Sequence, residues 1–68
     1  MRLVKEYICD ERTPSDVEIK ECMQIATNEN CIVRLMWFFP YNGWNHILID
    51  SNTSFEACKA RIPKRYGV

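Results

Sequence analysis

Residues 31–50 read CIVRLMWFFPYNGWNHILID, and this stretch decides the fold. Two runs rich in β-branched and aromatic residues, 31–41 and 44–50, flank the dipeptide Asn42-Gly43. Asn-Gly between apolar runs is the strongest short-range signal for a β-hairpin, because both central residues of a type I′ turn need positive φ. The stretch therefore predicts two antiparallel strands.

A two-residue turn at this dipeptide also predicts which side chains share a face. Successive residues of a strand point to opposite faces of the sheet, so the register decides how the aromatic side chains are divided. One predicted face is wide and aromatic, and it holds Leu35, Trp37, Phe39, Tyr41, Trp44, His46 and Leu48. The other predicted face is narrower, and it holds Met36, Phe38, Ile47 and Ile49.

A further strand and a helix are predicted ahead of the hairpin. Residues 2–9 are rich in strand formers and contain neither Gly nor Pro. The next segment, to about residue 28, has apolar side chains at i, i+3, i+4 and i+7, which is the spacing of one helical face. This helix begins either at Thr13, with Pro14 at the first helical position, or at Ser15, in a capping box with Glu18.

A second, shorter helix is predicted after the hairpin. Thr53 and Glu56 have the spacing of a capping box, and Pro63 ends the helix because the residue before a proline is disfavoured in helical geometry. Phe55, Cys58 and Ile62 lie on one apolar stripe of this helix.

The order β-α-β-β-α predicts one α+β domain over residues 1–68. The first two strands are expected to be parallel, joined by a crossover helix. Ile47, Leu48 and Ile49 are apolar on both faces, as in a central strand, whereas Pro40 favours an edge position because it has no N–H to donate. The predicted sheet is therefore three-stranded and mixed, in the order 1-3-2, with both helices on one face.

Composition limits the function classes. Nine basic and nine acidic residues give a net charge of zero, which argues against a dedicated duplex-DNA binder. An apolar content of 47% is typical of a globular chain. Charge is distributed unevenly, because residues 51–68 hold four basic side chains against Glu56 alone. These four are candidates for steering a charged partner, and they are Lys59, Arg61, Lys64 and Arg65.

No chemistry-bearing motif is present. The four cysteines show no CxxC spacing and only one histidine accompanies them, so we expect reduced structural thiols, with no metal and no cofactor. His46 lacks an orienting carboxylate, since Asp50 lies about 13 Å further along the same strand. The N-terminus lacks a signal-peptide pattern and residues 31–49 are interrupted by polar residues, so a cytoplasmic, non-enzymatic protein with no membrane contact is expected.

The wide aromatic face is the predicted functional surface. The two helices offer few large side chains and match the narrow face better, which leaves the wide face uncovered and free to bind a protein. The candidate partner-binding residues are Leu35, Trp37, Phe39, Tyr41, Trp44 and His46. Three uses of these residues stay open, namely a plain core, a homodimer seam, or a site for a foreign protein, as in small bacteriophage or mobile-element inhibitors that occlude a host factor. Among these, we expect a chain that binds another protein and forms a homodimer.

Single-stranded nucleic acid is the alternative partner. Such binders combine an aromatic platform on a sheet with basic side chains, which here would come from Arg34 and the basic C-terminal segment. The RNP and GxxG signatures of common RNA-binding modules are absent from the sequence.

Overall fold

The structure, a computed structural model, describes residues 3–9, 13–40 and 43–62. Five elements follow one another along the chain, and they are β1 (Val4–Ile8), α1 (Asp16–Glu29), β2 (Ile32–Phe39), β3 (Gly43–Ile49) and α2 (Phe55–Arg61). β1 runs parallel to β2, and β2 runs antiparallel to β3. The predicted β-α-β-β-α order and the three-stranded mixed α+β sheet are confirmed.

The predicted strand order 1-3-2 is wrong, because the observed order is β1-β2-β3. Pro40 does not keep β2 at an edge. The ladder ends at Phe39, so the missing N–H of Pro40 falls outside the strand and costs no ladder hydrogen bond. Leu48, whose apolar character suggested a central β3, is instead 46% exposed on an edge strand.

The hairpin is confirmed, but its predicted register is wrong by three residues. Phe39 pairs with Gly43 and Phe38 pairs with Trp44, so residues 40–42 connect the strands. Gly43, with φ +79°, is the first residue of β3 and uses the backbone freedom that glycine alone has without penalty. An odd shift moves every β3 side chain to the opposite face relative to β2, and this changes the composition of both faces.

The core lies between the helices and one face of the sheet. Odd-numbered residues of β2 and β3 point towards the helices. Those of β2 are buried, as are Ile47 and Ile49 of β3, and α1 and α2 both contribute buried residues to the same cluster. Both helices therefore cover one face, as predicted. The cluster consists of Cys9, Ile19, Cys22, Ala26, Cys31, Val33, Leu35, Trp37, Ile47, Ile49 and Cys58.

Local hydrogen bonds fix where each helix begins. Ser15 Oγ accepts from the Glu18 N–H at 3.2 Å, and Glu18 Oε1 accepts from the Ser15 N–H at 2.8 Å, so α1 begins with the predicted capping box and not at Thr13. The predicted cap of α2 is wrong by one residue. Ser54 accepts from the Ala57 N–H at 3.1 Å and is the N-cap.

Thr53 is engaged in the preceding turn. Its hydroxyl donates to Asp50 Oδ1 at 2.9 Å, while its Oγ1 accepts from the Asp50 N–H at 3.0 Å. This exchange closes the connection between β3 and α2 and leaves Ser54, the next residue, to satisfy an otherwise unpaired N–H of the helix.

Candidate protein-binding face

No described residue covers the side of the sheet that faces away from the helices. Even-numbered residues of all three strands point to this side, because paired residues of neighbouring strands share a face. We call this surface the open face. It is formed by Val4, Glu6, Ile8, Ile32, Arg34, Met36, Phe38, Trp44, His46 and Leu48.

Large apolar side chains dominate the open face. Five of them are about half exposed, namely Val4 (49%), Ile8 (55%), Phe38 (47%), Trp44 (57%) and Leu48 (46%). Side chains of this size at these fractions present on the order of 500 Å² of apolar surface. The largest apolar patch on a typical monomer measures about 300–600 Å² and is often functional, so a surface of this size is a candidate binding site.

Phe38 and Trp44 form the aromatic end of the open face. They occupy the same register position on β2 and β3, and their ring centroids lie 5.4 Å apart with the planes at 69°. This edge-to-face contact brings the positive edge of one ring against the negative face of the other. It also restricts both side chains, so that less conformational entropy is lost when a partner covers them.

An ion pair lies in the middle of the open face. Arg34 Nη1 donates to Glu6 Oε2 at 3.2 Å across the β1–β2 ladder, and Leu48 is the residue opposite Arg34 on β3. Arg34 Nε is shielded from solvent and has no hydrogen-bond partner among the described residues. Because the two charges offset each other, the open face offers no excess of positive charge.

The structure divides the predicted partner-binding residues between the two sides of the sheet. Leu35, Trp37 and Phe39 are 0%, 1% and 3% exposed on the helix-covered side, so the expectation of an uncovered face holding all six is wrong. The three-residue register shift is the physical reason. Trp44 and His46 lie exposed on the open face, and Tyr41 lies outside the described residues.

Sequence reasoning missed Phe38 and the contribution of β1. The two-residue turn places Phe38 on the covered face together with Ile47. The positive φ of Gly43 is the local signal for a different connection, and a different connection changes the face that Trp44 shares with Phe38. Val4 and Ile8 join the open face only through the pairing of β1 with β2, for which the local sequence carries no signal.

The candidate steering residues are engaged in the protein's own contacts where the structure describes them. Lys59 Nζ donates to Asp16 Oδ1 at 2.8 Å and joins α2 to the start of α1. Arg61 Nη1 donates to the backbone carbonyl of Leu48 at 3.3 Å. Lys64 and Arg65 lie outside the described residues.

The four cysteines are buried free thiols. Burial raises the pKa of Cys22 to about 12 and also raises the pKa of Cys58, so both thiols stay protonated at neutral pH. Because the thiolate is the nucleophilic form of cysteine, these two thiols are poor nucleophiles at neutral pH. Over residues 3–9, 13–40 and 43–62, no cluster of three or more His, Cys, Asp or Glu side chains is placed to hold a metal ion.

His46 is placed opposite Met36 on the open face, beside the aromatic end. Its side chain is exposed, and Asp50, the next carboxylate along the chain, accepts a hydrogen bond from the Thr53 hydroxyl. Neither α1 nor α2 is long and apolar enough to cross a membrane, and the described residues contain no other helix.

No protein-family model, curated protein or solved structure matches this chain. The functional argument therefore starts from the geometry of the open face.

Proposed function

We propose that this protein is a small, non-enzymatic binding module that docks a second protein on its open face. One observation carries the proposal, namely that half-exposed Val4, Ile8, Phe38, Trp44 and Leu48 share the side of the sheet that the helices leave uncovered. Burying these side chains against a partner would stabilise the complex by about 25 cal/mol for each Å² of apolar surface removed from water.

The chemistry of the open face selects the kind of partner. Glu6 and Arg34, at its centre, form an ion pair with 3.2 Å between Glu6 Oε2 and Arg34 Nη1. The surrounding side chains are mostly apolar. A protein surface that is apolar and nearly uncharged matches this arrangement, because it buries the apolar side chains without leaving an ion unpaired.

Binding at this face would act by occlusion. The open face would act on a partner by covering a surface that the partner uses in another interaction. An inhibitor of another protein, of the kind that small mobile-element proteins provide, is the biological role that we attach to this mechanism. A cytoplasmic location belongs to the same proposal, and the four free thiols support it.

Single-stranded nucleic acid is the second candidate, and the Phe38–Trp44 pair is the observation that favours it. Exposed aromatic rings on a sheet are platforms for base stacking. The ion pair with Glu6 weakens this candidate, because Arg34 is then not free to pair with a phosphate.

The test compares proteins captured from a cell lysate by the wild-type chain, by Phe38→Ser/Trp44→Ser and by Val17→Ser. Val17 is 66% exposed on α1, on the other side of the sheet, so Val17→Ser removes an exposed apolar side chain without touching the open face. Captured proteins are identified by mass spectrometry, with and without nuclease, and each purified candidate is then titrated against all three chains.

We expect one purified protein to bind the wild-type chain and Val17→Ser equally. Its binding to the Phe38/Trp44 variant should fall at least tenfold, and nuclease should have no effect on its capture. Equal binding by all three chains would overturn the proposal. Capture that is lost with nuclease, with an affinity that falls steeply as salt rises, would instead identify a nucleic-acid binder.

A further inference from the structure

The outer edge of β3 carries backbone groups that no other strand uses. Within β2, even-numbered residues bond to β1, since the Ile32 N–H donates to the Leu3 carbonyl and the Met36 carbonyl accepts from the Cys9 N–H, both at 2.9 Å. Odd-numbered residues of β2 therefore face β3, and the register pairs them with odd-numbered residues of β3. The N–H and C=O groups of the even-numbered β3 residues point outward.

An independent contact confirms this direction. The Leu48 carbonyl accepts from Arg61 Nη1 at 3.3 Å, and it can do so only if it points away from β2 towards the edge that α2 borders. Arg61 thus covers the end of the edge near Ile49. The outward N–H and C=O groups of Trp44 and His46 have no hydrogen-bond partner among the described residues.

This part of the edge has none of the usual protection against strand addition. Natural edge strands carry lysine, proline, a bulge or an inward-pointing charge, which oppose pairing with another chain. β3 reads GWNHILI and contains no lysine, proline or acidic residue. β1, the other edge, is only five residues long and carries Lys5 and Glu6.

We propose that β3 pairs in antiparallel fashion with β3 of a second copy of this chain. Arg61 selects the register, because a pairing centred on Asn45 uses only the outward groups of Trp44 and His46 and leaves the Leu48 carbonyl to Arg61. Trp44 of each copy then lies opposite His46 of the other, in two hydrogen-bonded pairs. The two-fold axis passes between the two Asn45 residues.

The dimer would join two open faces into one surface. A single open face presents on the order of 500 Å² of apolar area, whereas a standard interface buries about 800 Å² on each partner. Two coplanar faces, with Phe38 and Trp44 of both copies at the centre, supply that area. A net charge of zero means that two copies meet without overall repulsion.

Backbone geometry alone carries this pairing, so its test does not involve the partner of the proposed function. The mass of the purified chain in solution is measured by sedimentation equilibrium at micromolar concentrations for the wild type, His46→Pro and His46→Thr. Proline at position 46 removes only an outward N–H and leaves the β2–β3 ladder intact, whereas threonine keeps that N–H. We expect two chains for the wild type and His46→Thr, and one chain for His46→Pro.

A cross-linking experiment tests the register and does not depend on the proline variant folding. In the proposed pairing the two Asn45 residues face each other as a non-hydrogen-bonded pair, with Cα atoms about 4.5 Å apart, which a disulfide can span. Asn45→Cys should form a covalent dimer with copper–phenanthroline as oxidant, and Asn52→Cys, in the exposed turn after β3, should not. A monomeric wild type, an unchanged mass for folded His46→Pro, or equal cross-linking of both cysteine variants would overturn the proposal.

Discussion

Phe38 and Trp44 meet edge to face, 5.4 Å between ring centroids, on the side of the sheet that the helices leave open. Trp37, the neighbour of Phe38 in the chain, is 1% exposed on the opposite side. The aromatic run of residues 37–44 is therefore divided, with one tryptophan in the core and the other on the surface. Because the division follows from strand alternation, replacing each tryptophan with alanine should have very different effects on the free energy of unfolding.

Trp37→Ala should unfold the chain and Trp44→Ala should not. Deleting a buried tryptophan costs about 3–5 kcal/mol, which is comparable with the whole stability of a 68-residue chain, about 3–10 kcal/mol. Trp44 is 57% exposed, so its removal should cost about 1 kcal/mol or less. Urea denaturation followed by far-UV circular dichroism measures both.

Trp37→Phe is the matched control for the core tryptophan. It keeps an aromatic ring and removes an indole N–H that has no hydrogen-bond partner among the described residues. A buried donor without a partner is itself destabilising by about 1–3 kcal/mol, so this variant should be much more stable than Trp37→Ala. Equal loss of stability in Trp37→Ala and Trp44→Ala would contradict the division of the aromatic run.

The Phe38–Trp44 contact should be measurable by a double-mutant cycle. We expect Phe38→Ala and Trp44→Ala to be non-additive in the free energy of unfolding, with a coupling of about 0.5–1.5 kcal/mol and nearer the lower value because both rings are half exposed. The same cycle between Trp44 and Val17, which lies on α1, should give no coupling. A zero value for the Phe38 cycle would show that the rings do not hold each other in place.

Alkaline pH should destabilise the fold through its buried thiols. Burial raises the pKa of Cys22 from 9.0 to about 12, so above pH 9 the unfolded chain has lost a proton that the folded chain still holds. Stability is therefore complete below pH 9 and falls as pH rises towards 12, with a limiting slope of about 1.4 kcal/mol per pH unit for this thiol.

Urea midpoints between pH 8 and about 11 measure that slope, and Cys22→Ala should reduce it. Cys58, whose pKa burial raises, and Tyr7, whose pKa the hydrogen bond to Glu21 raises, act in the same direction and leave a residual slope in the variant. A slope that is unchanged by Cys22→Ala would exclude this thiol as its source.

The capping box of α1 should affect both the free energy of unfolding and its dependence on pH in the acid range. Ser15→Ala removes the acceptor of the Glu18 N–H and should cost about 1 kcal/mol. The hydrogen bond from the Ser15 N–H lowers the pKa of Glu18 below 4.5, so the stability that this carboxylate adds is present above pH 4.5 and is lost as pH falls through the lowered pKa.

Glu18→Gln separates the hydrogen bond with the Ser15 N–H from the titration of the Glu18 carboxylate. It keeps a side-chain oxygen that can accept from the Ser15 N–H but has no proton to gain, so it should flatten the acid limb of stability against pH while helix content near neutral pH is retained. Unfolding midpoints between pH 3 and about 6 provide the comparison with the wild type. An acid limb identical to that of the wild type would assign the pH dependence to another carboxylate.

The helices, the strands and their order along the chain follow from local features of the amino-acid sequence. Apolar spacing at Ile19, Cys22 and Ala26 dictates the buried stripe of α1, and Ser15 with Glu18 dictates where the helix begins. Residues 31–50 specify a hairpin because two apolar runs surround a segment that needs a glycine with positive φ. These features depend on interactions within a few residues, which is why they can be predicted from local sequence.

Which side of the hairpin is covered depends on contacts between residues that are distant in the chain. The choice between a two-residue and a three-residue connection depends on how Leu35, Trp37 and Ile47 pack together beneath the helices, and local sequence does not encode that packing. The strand order depends likewise on β1 pairing with β2 across a separation of 28 residues, from Val4 to Ile32. Because a shift of an odd number of residues moves every β3 side chain to the other side of the sheet, the register placed Trp44 beside Phe38. The packing of the helices against the opposite side then buried Trp37.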